Sequence, residues 1–369
     1  RKRRWSPSSL PHTHRAWTTR TARMAAATSP PAQGCGLEFH VVGDALMDVM
    51  ASGLPRIPGW EEDTEAQSIE CVPGGSALNT AVHLAALVGA GSRASVSFHG
   101  CVGEDGFAQL LSSHLESAGV RPSLVRLRDA PTGSCLVLSG GAGCGRAFVT
   151  CAGATARLSM EHLGDLLASV RGVGTSAGDS AGGPRRRVHV HFGGFYSYGT
   201  ALRAQMPRLL RELREAAASG GASLTISVDS NAADESQLSG VHEILDDLDL
   251  FKGNLVEVEM LSKCKGVEES LDTLTKGRQC AICVTMGAEG ACFRRCSGDS
   301  GVLEEGLVQT IAVDVKDCTG AGDACCSGLL AAWVAGASLM DAMKVGCAAG
   351  AVICTHIGGC SVAVTPEML

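Results

Sequence analysis

Strand-like and helix-like segments alternate along the chain from residue 39 onward. The strand-like runs span 39–44, 94–100, 187–192, 223–229, 248–252 and 281–285, and the helix-like runs span 76–88, 106–117, 201–218, 322–335 and 339–355. Strands separated by helices of this length form βαβ units, in which the strands run parallel. The alternation therefore predicts an α/β fold with a mostly parallel central sheet and helices on both of its faces.

Two segments interrupt this alternation. Residues 49–72 contain Pro55, Pro58 and an acidic cluster, and residues 132–150 have the pattern of a strand pair around a glycine-rich turn. We expect the two segments to pair as a small β-sheet lid on one domain that spans residues 39–369. Within that domain, residues 171–186 are rich in Gly, Ser and Ala, which predicts a flexible surface loop.

The first 38 residues differ in composition from the rest of the chain. Residues 1–23 are rich in Arg, Ser and Thr and contain no acidic residue, and Met24 follows them. The segment is either a transit peptide or translated sequence upstream of a start at Met24, and both interpretations predict a disordered extension over residues 1–38. We expect a cytoplasmic protein, or an organellar one if the segment is a transit peptide.

Charge and cysteine content restrict the kinds of partner. The formal net charge of −7 argues against a nucleic-acid partner, and no apolar stretch is long enough to suggest a membrane partner. Many of the 17 cysteines lie inside apolar runs, as at 280–283, which indicates reduced, buried side chains and not disulfides. An anionic ligand would then be held by local groups.

The most informative motif is Asp-Cys-Thr-Gly-Ala-Gly-Asp at residues 317–323, which precedes a helix of small residues. Gly320 and Gly322 allow a tight turn whose amides point one way, and the helix adds the positive end of its dipole. Together these features form an anion site, and Asp323 beside it is placed to accept a proton from a hydroxyl group. The alternative is an ordinary glycine loop with Asp323 as a helix cap.

Five segments, in order, resemble the signatures of the PfkB family of carbohydrate kinases, which includes ribokinase, fructokinase and adenosine kinase. They are Gly-Asp-Ala-Leu-Met-Asp at 43–48, Gly-Gly-Ser-Ala-Leu-Asn at 74–79, Asn-Leu-Val-Glu at 254–257, Thr-Met-Gly-Ala-Glu-Gly at 285–290, and the 317–323 motif. No Gly-x-x-x-x-Gly-Lys-Ser/Thr motif occurs, and no Gly-x-Gly-x-x-Gly follows the first strand, so P-loop and Rossmann nucleotide sites are disfavoured.

The resemblance implies a ribokinase-like fold and ATP-dependent phosphorylation of a hydroxyl, expected to be primary, on a sugar or sugar-like molecule. Asp323 would be the general base, and the turn of Gly320, Ala321 and Gly322 would be the anion hole. The substrate-binding residues would be Asp48, Gly74, Gly75 and Asn79. From the residues alone, we expect Asp48 to end a parallel strand on the ligand-binding side of the sheet.

The resemblance also implies a nucleotide side to the site. The ATP-binding residues would be Asn254, Thr285, Gly287, Gly290 and Cys347. Glu257 would position Mg²⁺ through water, and Asp317 and Thr319 would hold a monovalent cation such as K⁺ through backbone oxygens. A homodimer that forms through the lid is a further implication.

Two other functions remain open. One is a nucleoside kinase similar to adenosine kinase, which would need an apolar, aromatic lid to stack on a base, whereas the lid segments hold only Trp60 and Phe148. The other is a non-catalytic protein that binds a sugar or a nucleotide. Leu46 stands where ribokinase has an Asn, which argues against ribose as the specific substrate.

Overall fold

The structure, a computed structural model, describes residues 36–89, 93–140, 146–172, 185–231, 240–298 and 301–369. All of these residues belong to one compact unit, Gly34–Leu369. Residues 1–35 of the predicted N-terminal extension, and residues 173–184 of the predicted loop, lie outside the described residues. The extension and the flexible loop therefore remain predictions.

A nine-stranded sheet forms the centre of this unit, with the strand order β13-β12-β11-β10-β9-β8-β1-β4-β5. Seven neighbouring strands, from β11 to β5, are parallel, and β12 and β13 add an antiparallel edge. The strands are β1 (Leu37–Gly43), β4 (Ala94–Gly103), β5 (Val120–Leu127), β8 (Arg187–Gly193), β9 (Ser223–Asp229), β10 (Leu250–Asn254), β11 (Ala281–Thr285), β12 (Ala291–Cys296) and β13 (Val302–Val308). The predicted mostly parallel sheet is confirmed.

Helices flank this sheet. They are α1 (Ser76–Val88), α2 (Gly106–Ser117), α3 (Gly164–Arg171), α4 (Thr200–Ser219), α5 (Val241–Ile244), α6 (Leu255–Ser262), α7 (Val267–Thr275), α8 (Ala321–Ala335) and α9 (Leu339–Cys354). The two largest apolar clusters, around Phe192 and Phe98, each combine side chains from sheet strands and helices, because a strand buried on both faces presents apolar residues to both sides.

A second, four-stranded sheet has the order β3-β2-β6-β7. Its strands are β2 (Leu46–Leu54), β3 (Ser68–Gly74), β6 (Gly133–Gly140) and β7 (Arg146–Cys151). It is built from the two segments that interrupt the alternation, so the prediction of a separate small sheet is confirmed. Chain connectivity places this sheet next to the carboxyl end of β1, because β2 follows β1 after only two residues, and β3 leads into α1.

Among the described residues, no helix is both long enough and apolar enough to cross a lipid bilayer.

Candidate active site

The N-termini of α1 and α8 come together at one site. Ser327 on α8 donates a hydrogen bond to the Thr80 carbonyl on α1 at 3.0 Å, which ties the second turns of the two helices together. Gly75 precedes α1 with φ 105°, and Gly320 precedes α8 with φ 74°. These left-handed conformations favour glycine, and they let the backbone turn sharply into each helix.

Asp323 lies on the first turn of α8 and is held by two side chains of α1. Ser76 Oγ donates to Asp323 Oδ1 at 2.8 Å, and Asn79 Nδ2 donates to Oδ2 at 2.8 Å. Burial, reinforced by the negative charge of Asp229, raises the pKa of Asp323 to about 7, although the Asn79 hydrogen bond and the Lys252 charge oppose this rise. Near neutral pH this carboxyl group can both accept and release a proton, as a general base requires.

The turn before Asp323 presents backbone amides at the start of α8. The Ala321 amide donates to the Cys318 carbonyl at 3.3 Å, and the Gly320 carbonyl accepts from the Ala324 amide at 2.8 Å. In the described part of the chain, the amides of Gly322 and Asp323 have no acceptor. Unpaired amides at a helix N-terminus form a site for an anion.

A loop near the C-terminus supports this turn, and sequence reasoning missed it. A Cβ at Gly320 would overlap the backbone of Gly359, and a Cβ at Gly359 would lie 2.6 Å from Asn79 Nδ2. His83 on α1 donates from Nε2 to the Gly359 carbonyl at 2.8 Å and accepts from the Val364 amide at Nδ1. The pair Gly358-Gly359 was the available signal, because adjacent glycines often mark a close approach of backbones.

Asp48 does not occupy its predicted position. We expected it at the end of a parallel strand of the large sheet, but β1 ends at Gly43 and Asp48 lies within β2 of the small sheet. The chain leaves the large sheet at Asp44. The Asp44 carboxylate accepts a hydrogen bond from the Ala77 amide at 2.8 Å, which ties this point of the chain to the start of α1. The Asp48 carboxylate lies over Gly74, where a Cβ would overlap it.

Two carboxyl groups in this region have raised pKa values. Burial, together with the nearby charge of Asp44, raises the pKa of Asp48 to about 7. Burial also raises the pKa of Asp44 to about 6, against the hydrogen bonds that it accepts. The charge of Asp44 opposes the ionisation of Asp48, so these acids lose their protons closer to neutral pH than ordinary carboxyl groups do.

Lys252 and Asp229 form a buried ion pair beside Asp323, and sequence reasoning missed both residues. Lys252 Nζ donates to Asp229 Oδ2 at 2.7 Å, and the two side chains are only 6% and 4% exposed. A Cβ at Gly322 would lie 3.4 Å from Lys252 Nζ, so the ammonium lies against the turn at Gly320–Gly322. Burial alone would lower the pKa of Lys252, but the Asp229 carboxylate outweighs burial and holds that pKa above its usual value. The signal was a lysine inside an apolar strand, which requires a buried partner.

Asn254 and Glu257 form a reciprocal capping box at the start of α6. Asn254 Oδ1 accepts from the Glu257 amide at 3.0 Å, and the Asn254 amide donates to Glu257 Oε2 at 2.8 Å. Ser230 Oγ also donates to Glu257 Oε2 at 2.8 Å. Glu257 is buried, and burial, reinforced by the Asp229 charge, raises its pKa. This motif therefore has a structural role whether or not it also meets a ligand.

The residues assigned to the nucleotide side follow neighbouring strands. Asn254 and Thr285 are register partners at the carboxyl ends of β10 and β11. Gly287 and Gly290 take φ values of 60° and 96° in the turn that leads to β12. Cys347 lies apart from them, 7% exposed on α9 and packed in an apolar cluster with Cys325 of α8. The structure thus groups the first four residues and places Cys347 between two helices.

Asp317 fixes the segment that leads into the turn at Gly320–Gly322. Its Oδ1 accepts from the amide and the hydroxyl of Thr319 at 2.9 and 2.8 Å, and its Oδ2 accepts from the Gly358 amide at 2.9 Å. The side chain therefore ties residues 317–319 to the loop that supports Gly320. The cation role predicted for Asp317 and Thr319 concerns backbone oxygens and stays a prediction.

The donor set fits a metal ion that has few protein ligands. No group of three or more His, Cys, Asp or Glu side chains in the described residues could enclose a metal. Glu257 and Asp229 are carboxylates close enough for the charge of one to affect the pKa of the other. Mg²⁺ commonly keeps several waters and binds one or two carboxylates together with substrate phosphates, so this pair fits such an ion and not a dedicated cage.

The fold thus combines a mostly parallel sheet with a second small sheet, and the site places a carboxylate beside an amide-lined turn. The sequence model of the pfkB family carbohydrate kinases matches residues 38–179 and 188–366 of this chain. The chain belongs to this family of kinases.

Curated relatives share part of their length with this chain. It is 33% identical to adenosine kinase of Saccharomyces cerevisiae over 120 residues, which is 32% of this chain and 34% of the yeast protein. It is 28% identical to the bifunctional protein HldE of a Shewanella species over 328 residues, which is 86% of this chain and 60% of HldE. The matches thus span between about a third and three fifths of these relatives.

Solved structures share the fold. Ribokinase from Giardia lamblia superposes with a TM-score of 0.71 at 17% identity, covering 90% of this chain and 98% of that one. Arabidopsis thaliana ribokinase complexed with ribose and ATP gives 0.67 at 21% identity, with coverage of 88% and 94%. Fructokinase from Vibrio cholerae, bound to fructose, ADP and a calcium ion, gives 0.66 at 20% identity, with coverage of 90% and 97%. The ribokinase-like fold is confirmed.

Proposed function

We propose that this protein transfers the γ-phosphoryl group of ATP to a hydroxyl group, preferably primary, of a sugar or sugar-like alcohol. The observation that carries the proposal is the position of Asp323. Two α1 side chains hold its carboxylate at the N-terminus of α8, and its pKa is about 7. A base with this pKa beside an anion site is what phosphoryl transfer to a hydroxyl requires.

Asp323 accepts the hydroxyl proton in this proposal. The turn of Gly320, Ala321 and Gly322 stabilises negative charge on the phosphoryl oxygens, with the Gly322 and Asp323 amides as the unengaged donors. Lys252 lies against the same turn and adds positive charge there. Since phosphoryl transfer depends mainly on positioning and electrostatics, these groups supply what the reaction needs.

ATP and Mg²⁺ are the expected cosubstrate and ion. Asn254, Thr285, Gly287 and Gly290 would hold the nucleotide at the carboxyl ends of β10 and β11, and Cys347 would border it from α9. Glu257, with Asp229, would hold Mg²⁺ through water, and the ion would supply positive charge to the phosphates.

The backbone oxygens of Asp317 and Thr319 are proposed as a binding site for K⁺. Comparing reaction rates in potassium and in choline salts tests this site.

The substrate lies between the two sheets in this proposal. Asp48 reaches over Gly74, and Gly75 packs directly against the buried Asp44, since a Cβ at Gly75 would lie 2.7 Å from the Asp44 carbonyl oxygen. The buried Asn79 Oδ1 has no hydrogen-bond partner in the described part of the chain. A buried acceptor without a partner is costly, and a substrate hydroxyl would satisfy it.

One observation favours a nucleoside as the second candidate substrate. On the small sheet, Met50 pairs with Val137, and Val137 pairs with Phe148, so these side chains share the face that carries Asp48. Phe148 is 55% exposed. An exposed aromatic ring in an apolar row beside the substrate carboxylate is suited to stacking on a base, and part of the chain is similar to yeast adenosine kinase.

A turnover screen distinguishes these candidates. ADP release is measured with Mg-ATP against a panel of sugars and a panel of nucleosides. Phe148→Ala should raise the KM of a nucleoside several-fold and leave that of a sugar unchanged. Val149→Ala, on the opposite face of the same strand, is the matched control. Failure of every sugar and nucleoside to release ADP above the Asp323→Asn background would reject the proposed reaction.

The other face of the small sheet is proposed as a homodimer contact. Register pairing places Val49, Leu136 and Val149 together on it, and Ile69 lies on the same face. Leu136, Val149 and Ile69 are 47%, 60% and 70% exposed. A second copy that packs the same face would bury this apolar surface. Sedimentation of Leu136→Glu should show a monomer where the unmodified protein shows a dimer, and a monomer in both would reject the contact.

A further inference from the structure

A cavity of about 280 Å³ lies at the amino-terminal ends of the parallel strands of the large sheet, opposite the candidate active site. Arg187 and Ser223, which begin β8 and β9, line it, and so does Trp333 near the end of α8. The candidate catalytic residues, in contrast, follow the carboxyl ends of the strands or begin α8. Because parallel strands share one direction, the two sites lie at opposite ends of the strands of the same sheet.

The walls of this cavity carry positive charge. Arg295 on β12 has no ion-pair partner in the described part of the chain, and its buried Nε makes no hydrogen bond. Glu304 is the register partner of Arg295, yet its Oε1 accepts instead from the Met340 amide at 3.4 Å. Arg187 donates to the carbonyl of Val334 at the end of α8. Two guanidinium groups thus border one small space.

Among the described residues, Asp249 is the one acid that lines the cavity, and its charge is already paired. Asp249 Oδ2 accepts from the Ile226 amide at 2.8 Å and from Arg214 Nη2 at 3.2 Å. It therefore leaves the charge of Arg187 and Arg295 largely uncompensated. The buried Nε of Arg295 is left without an acceptor, which is costly, and a bound oxyanion would remove that cost.

The remaining walls are held in place by their own contacts. Thr225 Oγ1 is hydrogen-bonded to His189 Nδ1 at 2.8 Å, and the His189 ring meets the Trp333 indole edge-on at a centroid distance of 6.1 Å. The Ser223 side chain lies at the exposed mouth. The cavity thus offers hydroxyl groups beside the arginines and an indole wall, and its volume suits a small molecule.

The segment that leads into the described unit has no acidic side chain to offer the cavity. Arg187 N donates to the Gly36 carbonyl at 3.4 Å, so the chain enters the described unit beside the cavity. Residues 1–36 contain no Asp or Glu. A basic segment does not complement two arginines, which argues against residues 1–36 as the source of the anion.

We propose that this cavity binds a small oxyanion, a phosphate or carboxylate group, at a site distinct from the phosphoryl-transfer site. Arg295 and Arg187 pair with the charged group, and the rest of the ligand lies on Trp333. The planar fork of arginine matches both kinds of oxyanion, so the shared chemistry is what the site recognises.

Trp333 fluorescence provides the test. Trp5, Trp17 and Trp60 are changed to Phe in the full chain, which leaves Trp333 as the only tryptophan. Inorganic phosphate and malonate are titrated separately, with ionic strength held constant by sodium chloride. A saturable change in emission is expected. Saturation with phosphate alone assigns a phosphate group, saturation with malonate alone assigns a carboxylate, and saturation with both supports general oxyanion recognition.

Variants separate this cavity from the candidate active site. Arg295→Gln should weaken binding about tenfold or more, because a hydrogen bond to a charged group is lost. Arg208→Gln removes the same charge from an exposed position on α4 and should bind as the unmodified protein does. Ser223→Asp adds a repelling charge at the exposed mouth and should also weaken binding, so it serves if Arg295→Gln fails to fold. The proposal is overturned if neither anion gives a saturable change, or if the folded cavity variants bind normally.

Discussion

Asn79 on α1 donates a hydrogen bond to Asp323 on α8 at 2.8 Å, although 244 positions separate the two residues in the chain. Ser76 donates to the other oxygen of the same carboxylate. The second glycine motif, at 74–79, thus supplies the groups that hold the proposed base of the fifth motif. Two motifs that a sequence shows as separate are therefore one hydrogen-bonded unit.

Asn79→Ala should move the acid limb of the kcat/KM profile to higher pH by about one unit. The lost hydrogen bond stabilises the charged form of Asp323, so its pKa should rise, and a bond to a charged group corresponds to about that shift. Ser76→Ala should shift the limb in the same direction, because it removes the donor to the other oxygen. An acid limb that stays in place in both variants would mean that these bonds do not tune the base.

Asp48→Ala should raise the KM of the phosphoryl acceptor about tenfold or more and leave the KM of ATP nearly unchanged. The carboxylate lies over Gly74 on the small sheet, and substrate hydroxyls left without it would lose roughly 1–3 kcal/mol. Steady-state kinetics with each substrate varied in turn provides the measurement. Equal increases in both KM values would indicate a structural role.

Lys252→Met should lower the free energy of unfolding by about 3–5 kcal/mol, because it leaves the buried Asp229 carboxylate without its partner. The double variant Lys252→Met with Asp229→Leu should recover much of that stability. Its kcat should nonetheless stay low, since both the positive charge beside the turn at Gly320–Gly322 and the Asp229 carboxylate proposed for Mg²⁺ are absent. Denaturant unfolding and kcat are measured on the same proteins, and recovery of both quantities together would show that Lys252 has no role beyond folding.

His83 makes the protein less stable in acid. Burial lowers the pKa of His83 to about 4, below the value of about 6.5 expected in the unfolded chain. The unfolded chain therefore binds the proton first as pH falls. The contribution of neutral His83 is fully present above pH 6.5 and is lost between 6.5 and 4, at up to about 1.4 kcal/mol per unit.

His83→Gln isolates this contribution. Glutamine can still donate to the Gly359 carbonyl and accept from the Val364 amide, but it does not titrate. Unfolding free energies of both proteins are measured from pH 7.5 to 4.5. The stability advantage of the unmodified protein should shrink as pH falls, whereas a constant difference would contradict the assignment.

Local pattern was sufficient to predict much of the fold. The helix predicted over 76–88 is α1, Ser76–Val88, and the helix predicted over 322–335 begins one residue earlier, at Ala321. Both follow glycines with positive φ, a start that sequence reveals. β5 and β13, the two edge strands of the large sheet, were missed, because the identity of an edge strand depends on its neighbour in the sheet.

The parts of the site that were missed depend on distant contacts. Lys252 and Asp229 are paired only because β9 and β10 are neighbours, and nothing local indicates that register. Asp48 was assigned to the wrong sheet because only two residues separate β1 from β2. The sequence around this crossing does not show where the first strand ends and the second begins. Sequence supplied the residue types of the site, while strand order decided which of them meet.

The central claim is that Asp323 accepts the proton of the phosphoryl acceptor. Asp323→Asn keeps the shape of the side chain and removes its basicity at neutral pH, although it loses one of the two acceptor oxygens that Ser76 and Asn79 use. General-base loss costs about 10²–10⁴-fold in rate. With the best acceptor from the turnover screen, we expect kcat to fall at least about 100-fold, with Kd for ATP little changed and Tm within a few degrees. A variant that binds ATP, melts normally and turns over at close to the unmodified rate would contradict the account.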